Sequence, residues 1–218
     1  ACIGQLQDVI PADIARTYHL AQQDYALQNI HQPADAQALD TARKRLVFEE
    51  LFVLSTAMAR IRSQRRAEGG IRMKAADLET FYRTLPFSPT GAQQRAVAAA
   101  VQDMISGVPM SRLVQGDVGS GKTMVAAAAI YMAAKNGLQC ALMAPTEILA
   151  EQHYRSLAPL LEPLGIPCAL LTASTTAKER RALNERLRSG ELSLVIGTHA
   201  LLSPDVQYQN LGLVVTDE

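Results

Sequence analysis

Gly116-Asp117-Val118-Gly119-Ser120-Gly121-Lys122-Thr123 constrains this chain more than any other stretch. A glycine, four residues and then Gly-Lys-Thr is the spacing of a phosphate-binding loop. Leu113 and Val114 before it read as the end of a short buried strand, expected over 112–115. The alanine-rich apolar run from Met124 to Ala134 reads as a buried helix, expected over 122–135. Strand, glycine loop and helix in that order predict an α/β layer built around the loop.

The residue types follow from the ligand. A nucleotide tail carries several negative charges on oxygens that only accept hydrogen bonds. Gly116, Gly119 and Gly121, with Ser120 between the last two, let the backbone curl so that its N–H groups point inward. The helix that starts near Lys122 adds the positive end of its dipole. Lys122 supplies a point charge for the β- and γ-phosphates, and the Thr123 hydroxyl suits Mg²⁺. The bland alternative is a glycine turn followed by a surface lysine, and the matching flanks argue against it.

The pattern around the loop extends the α/β reading. From Phe87 onward helices and strands alternate. Ser88 and Pro89 read as an N-cap and first-turn proline opening a helix through about Ile105. Strands are expected over 139–144, 167–171, 192–197 and 211–216, and helices over 147–161 and 177–188. Apolar runs separated by helices predict a parallel sheet covered on both faces. Residues 1 to about 86 show no strand-like alternation, and a further helix is expected over about 75–85. Pro11 and Pro33 punctuate helix starts. One long helical pattern runs from Ala34 to Arg66, with Val47, Leu51, Leu54, Met58 and Ile61 on one stripe. That stripe predicts a helix packed onto the rest of the protein. Arg60, Arg62, Arg65, Arg66, Arg72 and Lys74 form a basic run opposed only by Glu68. It reads as a solvated face, or as a contact to a nucleic-acid backbone.

Composition excludes several classes. The 218 residues are 48% hydrophobic, enough for a proper core, and carry zero net charge. No global field therefore draws the chain to nucleic acid, and any such binding must be local, weak and salt-dependent. Cys2, Cys140 and Cys168 are odd in number and widely spaced, which argues against a disulfide framework or a zinc site. Cys140 and Cys168 are expected as core fillers in a cytoplasmic protein. The apolar run 124–134 is about half of a membrane span. The chain starts without Met and stops at Asp217-Glu218, which reads as a piece of something longer.

In an open parallel sheet the active site lies at the carboxyl ends of the strands. There the sequence places the glycine loop, Pro145-Thr146-Glu147, Thr198-His199 and Asp217-Glu218. An acidic residue ending an apolar strand can hold Mg²⁺, and the next carboxylate can orient an attacking water. Loop and acidic pair together imply nucleoside triphosphate hydrolysis. Two other readings stay open on the residues alone. A small-molecule kinase would need an arginine-rich lid where Pro-Thr-Glu stands. A non-catalytic nucleotide-dependent module could dispense with Glu218. His19, His31 and His153 have no metal-ligand spacing and read as structural. Lys178, Arg180, Arg181, Arg186 and Arg188 read as a solvated helix face.

The ordered segments 116–123, 144–153 (Ala-Pro-Thr-Glu-Ile-Leu-Ala-Glu-Gln-His), 171–174, 197–201 and the final Asp-Glu resemble the motifs of superfamily 2 helicases. More closely they resemble the RecG family of bacterial ATP-dependent DNA helicases. Asn29 to Pro33 and Arg45 to Leu51 resemble that family's linker. The resemblance implies a helical linker region over 1–86 and a three-layer RecA-like lobe over 87–218. It implies ATP and Mg²⁺ as cofactors, and branched or forked double-stranded DNA as the partner of a monomeric motor. It assigns Gln93 to the adenine edge, Lys122 and Thr123 to phosphate and Mg²⁺, Asp217 to Mg²⁺, and Glu218 to the catalytic base. Pro145, Thr146, Glu147, Thr198 and His199 would touch DNA. Family members continue into a second lobe with an arginine finger and carry an N-terminal wedge domain, so this chain on its own is expected to turn over ATP poorly.

Overall fold

A computed structural model describes residues 8–67 and 69–217. Cys2 and Glu218 lie outside the described residues, as do the side chains of Arg62, Arg65 and Arg66. The chain divides into two compact units, 1–68 and 69–218.

The first unit is helical. A short α1 (Ala12–Thr17) and α2 (Gln23–His31) precede α3 (Ala36–Ala67), which is 32 residues long. No glycine or proline interrupts α3, and Ala, Arg and Leu make up half of it, so propensity alone favours the helix. Asp35 accepts the Ala38 N–H at its start. Asn29 shapes the turn before it, donating to Tyr25 O and accepting the Ala34 N–H. Ala26, Ala38 and Ala42 are buried where α2 meets α3. Arg45 is fully buried there too, with its guanidinium between Asp8 and Glu49. The predicted stripe behaves differently. Val47, Leu51, Leu54, Met58 and Ile61 are all exposed, Leu54 at 59%. Periodicity identified an apolar face, but helical spacing alone does not say that anything covers it.

The second unit carries a four-stranded parallel sheet in the order β2-β3-β1-β4. Its strands are β1 (Gln139–Met143), β2 (Cys168–Leu171), β3 (Leu194–Gly197) and β4 (Leu211–Thr216). The helices are α4 (Leu78–Tyr82), α5 (Gly91–Ser106), α6 (Lys122–Lys135), α7 (Glu147–Leu161) and α8 (Ala177–Arg188). Helix α6 is apolar nearly all round and buried, as a central helix must be. Phe81 of α4 is fully buried and packs on Tyr131, ring centroids 5.5 Å apart. Burial pushes the Cys140 and Cys168 thiols up to about 12, as for inert core fillers.

This unit starts at Gly69, well before the 86/87 boundary expected from sequence. The reason is tertiary. Gly70 and Met73 donate their N–H groups to Gly107 and Met104, and Asn136 brackets the Lys74 backbone from both sides. Two local expectations also change. Residues 112–115 form no strand, and Leu113 is 87% exposed. A strand exists only through its ladder partners, and β4 is the edge of the sheet. Helix α5 is capped by Thr90 rather than Ser88. Its hydroxyl accepts the Gln93 N–H while the Gln93 side chain accepts the Thr90 N–H, a reciprocal box that fixes the start.

Candidate nucleotide and nucleic-acid site

All four strands run the same way, so the segments after them converge on one edge of the sheet. The phosphate loop reaches that edge through the N-terminus of α6. Gly119 and Gly121 take φ of 80° and 81°, where a side chain is strained. A Cβ on Gly121 would also strike the Gln93 amide, and one on Gly116 would lie 2.6 Å from Ser120 Oγ. At Gly119 and Gly121 the positive φ, rather than lack of space, is what favours glycine.

Lys122 bends its ammonium back across the loop, donating to Gly116 O at 2.7 Å and Asp117 O at 3.0 Å. Two carbonyls hold a positive charge at the mouth of a ring of small residues. A phosphate entering there would exchange these neutral partners for charged ones, which bind an ammonium more strongly. Gln93 joins the same loop, its Nε2 donating to Ser120 O at 2.8 Å. Its carboxamide is thus divided between the cap of α5 and the phosphate loop.

Asp217 is held twice. Its N–H donates to Met143 O at 2.9 Å, which extends the β1–β4 ladder by one bond. Its Oδ2 lies 2.7 Å from His153 Nε2 on α7. Spacing gave no hint of this pair, because 64 residues separate its members. The Thr123 hydroxyl and the Asp217 carboxylate are hard oxygen donors. Such donors fit a magnesium ion that keeps its waters and phosphate ligands.

The other strand ends are tied to one another. Thr146 caps α7, its Oγ1 accepting the Leu149 N–H. Glu147 reaches sideways and accepts the Ala173 N–H at 3.0 Å, linking the α7 start to the loop after β2. A carboxylate so placed orders that loop. Pro145, Thr146 and His199 are exposed, and Thr198 is half-buried. Gly197 just before them must be glycine, since a Cβ would run into the Leu171 carbonyl.

The expected solvated face of α8 is partly engaged. Arg180 grips Asp205 with two hydrogen bonds, of 2.7 and 3.0 Å, and Arg186 pairs with Glu191. Asn184 and Ser203 also donate to Asp205. The Arg180 guanidinium, then the Ser203 hydroxyl, hold the Asp205 carboxyl well below the usual range. This clasp fastens the segment that follows Thr198-His199. Sequence reasoning missed it because Asp205 lies in a loop with no periodic signal.

Residues 90–218 match the DEAD/DEAH box helicase family. The chain is 45% identical to the ATP-dependent DNA helicase RecG of Bacillus subtilis over 98% of its own length and 32% of that protein's. Identity to the RecG of Thermotoga maritima is also 45%, covering 98% of this chain and 28% of the relative. The RecG of Escherichia coli O157:H7 is 38% identical over 98% of this chain. A solved structure of RecG bound to a three-way DNA junction superposes with a TM-score of 0.86 at 45% identity. It covers 98% of this chain, which in turn spans 30% of that one. The chain thus spans about a third of the length of these relatives.

Proposed function

Because this chain belongs to the DEAD/DEAH box helicase family, we propose that it is the ATP-binding lobe of a DNA helicase or translocase that remodels branched duplex DNA. Residues 69–217 form the lobe, with the preceding helical unit as its linker. The observation that carries the reading is a glycine loop spanned by Lys122 at the start of α6, together with Asp217 at the carboxyl end of β4. The branched-DNA clause rests on the RecG relatives, one of them solved on a three-way junction.

In this reading the Gly116–Gly121 backbone and the α6 N-terminus cradle the phosphates, and Lys122 neutralises them. Gln93, already bonded to the loop, reports adenine occupancy to α5. A bound Mg²⁺ would neutralise charge that develops on the phosphates. Thr123 and Asp217 are the residues that would hold it, and Glu218 is the proposed base for the attacking water. Pro145, Thr146, Thr198 and His199 face the DNA backbone, with Glu147 bracing the loop between them. The motor works as a cytoplasmic monomer. No helix among the described residues is long and apolar enough to cross a membrane.

Hydrolysis of Mg-ATP by this chain, with and without three-way junction DNA, tests the reading beside Lys122→Ala. Slow hydrolysis that DNA accelerates and the substitution abolishes is the expected result. Hydrolysis that survives the substitution would remove the assignment.

A further inference from the structure

His153 has no part in the assigned machinery, yet it makes the one side-chain hydrogen bond recorded to Asp217 among the described residues. Its side chain is only 14% exposed, against 39% for the carboxylate it meets. An ionised carboxylate only accepts, so the ring donates through Nε2–H to Oδ2. The Asp217 backbone is separately anchored by its bond to Met143 O. With backbone and Oδ2 both fixed, the carboxylate keeps one rotamer, and Oδ1 is left as the oxygen available to a cation.

We propose that His153 is a positioning residue for the Asp217 carboxylate, setting the affinity of this lobe for the nucleotide-borne divalent cation. The inference rests on Asp217 being the cation's carboxylate. The physical case is preorganisation. Asp217 sits at the last bond of an edge strand, where a free carboxylate would sample several rotamers. A partner that holds the non-ligating oxygen removes that freedom before the cation arrives. Loss of such outer partners typically weakens metal affinity by about 10–100-fold. His153 is also seven residues into the helix that Thr146 caps and Glu147 tethers. The element proposed to face DNA therefore holds the cation's carboxylate directly. A shift of α7 on DNA would be felt at Asp217 through this bond.

Mn²⁺ is a suitable probe, because its binding is read by electron paramagnetic resonance without turnover. The 218-residue chain would be titrated with Mn²⁺ in the presence of ADP. ADP affinity would be measured separately in EDTA. His153→Ala should raise the Mn²⁺ needed for half-saturation about tenfold, with ADP affinity in EDTA unchanged. His153→Gln, whose amide can still donate, should stay within about threefold of the parent. Asp217→Ala is the control, and it should weaken Mn²⁺ binding at least as much. If Asp217→Ala binds Mn²⁺ like the parent, the ligand assignment fails, and this inference with it. If Asp217→Ala is weakened but His153→Ala is not, the positioning role alone fails. An equal loss of ADP affinity in EDTA would make His153 a purely structural residue and overturn the proposal. Should His153→Ala not fold, the imidazole ¹⁵N–¹H signal of His153 decides. A slowly exchanging Nε2–H in the parent that is lost in Asp217→Ala supports the bond, and an unchanged signal refutes it.

Discussion

The two units use apolar residues in opposite ways. In residues 69–217 the central apolar runs are interior, though the edge strand β4 is largely exposed: α6 and the inner strands bury Ile130, Met132, Leu142, Leu194, Val195 and Ile196 almost completely. In residues 8–67 the largest fully buried side chain is a cation, Arg45, while the apolar stripe of α3 stays exposed. A sheet covered by helices supplies its own cover. A long helix covers only the part of itself that a neighbour reaches. Here α2 spans the first turns of α3, and beyond them Tyr18, Phe48 and Phe52 make a thin aromatic row, 5.0 and 6.2 Å between successive centroids. The same hydrophobicity therefore indicates a core in one unit and an open surface in the other.

Substitutions on the two sides should separate these roles. The largest effect belongs to the site. Lys122→Ala should lower Mg-ATP affinity at least a hundredfold, about 2.7 kcal/mol, with the circular dichroism spectrum unchanged. Among the described residues the ammonium is bonded only to two carbonyls of the loop. Calorimetric titration checks both the affinity and the competence of the sample.

Within the core, Phe81→Ala should cost about 3–5 kcal/mol of unfolding free energy, since its ring is fully buried against Tyr131. Urea denaturation followed in the second unit reads it. A loss under about 1 kcal/mol would mean that the 69–86 segment is not integral to the lobe.

In the helical unit Arg45→Ala should cost about 2–3 kcal/mol, below the usual figure of about 3–5 for a buried pair. Asp8 and Glu49 retain access to water, with side-chain exposures of 38% and 22%, and can rehydrate when the guanidinium goes. Leu54→Ser, by contrast, should move stability by less than about 0.5 kcal/mol. A larger loss would show that the α3 stripe is covered in solution.

The smallest effect concerns pH. Asp205 is held below its ordinary value in the fold, first by Arg180 and then by Ser203. A depressed carboxyl contributes stability above its unfolded value of about 3.9 and loses it as pH falls through the lower folded value. Asp205→Asn should therefore flatten the acid limb of stability below about pH 4 and leave neutral pH nearly unaffected in slope. Thermal melts between pH 2 and pH 7 would show the difference, and parallel curves for the two proteins would exclude the clasp.

Much was legible in the chain because its signals are local. The bounds of α6, α7, α8 and β4 were expected as observed, since each is set by neighbouring residues: the glycine loop before α6, the Thr146 and Thr176 caps before α7 and α8, and the polar breaks around β4. The eight-residue loop, the parallel sheet and the gathering of polar segments at one edge followed from spacing and alternation. Tertiary structure alone decided the rest. Whether residues 112–115 form a strand depends on a partner across a ladder. Whether the α3 stripe is core depends on what reaches it. That Gln93 bonds the phosphate loop, that Glu147 holds Ala173, and that His153 holds Asp217 are contacts across 27, 26 and 64 residues. No pattern along the chain encodes them, because helical and strand periods record which way a side chain faces and not what it meets.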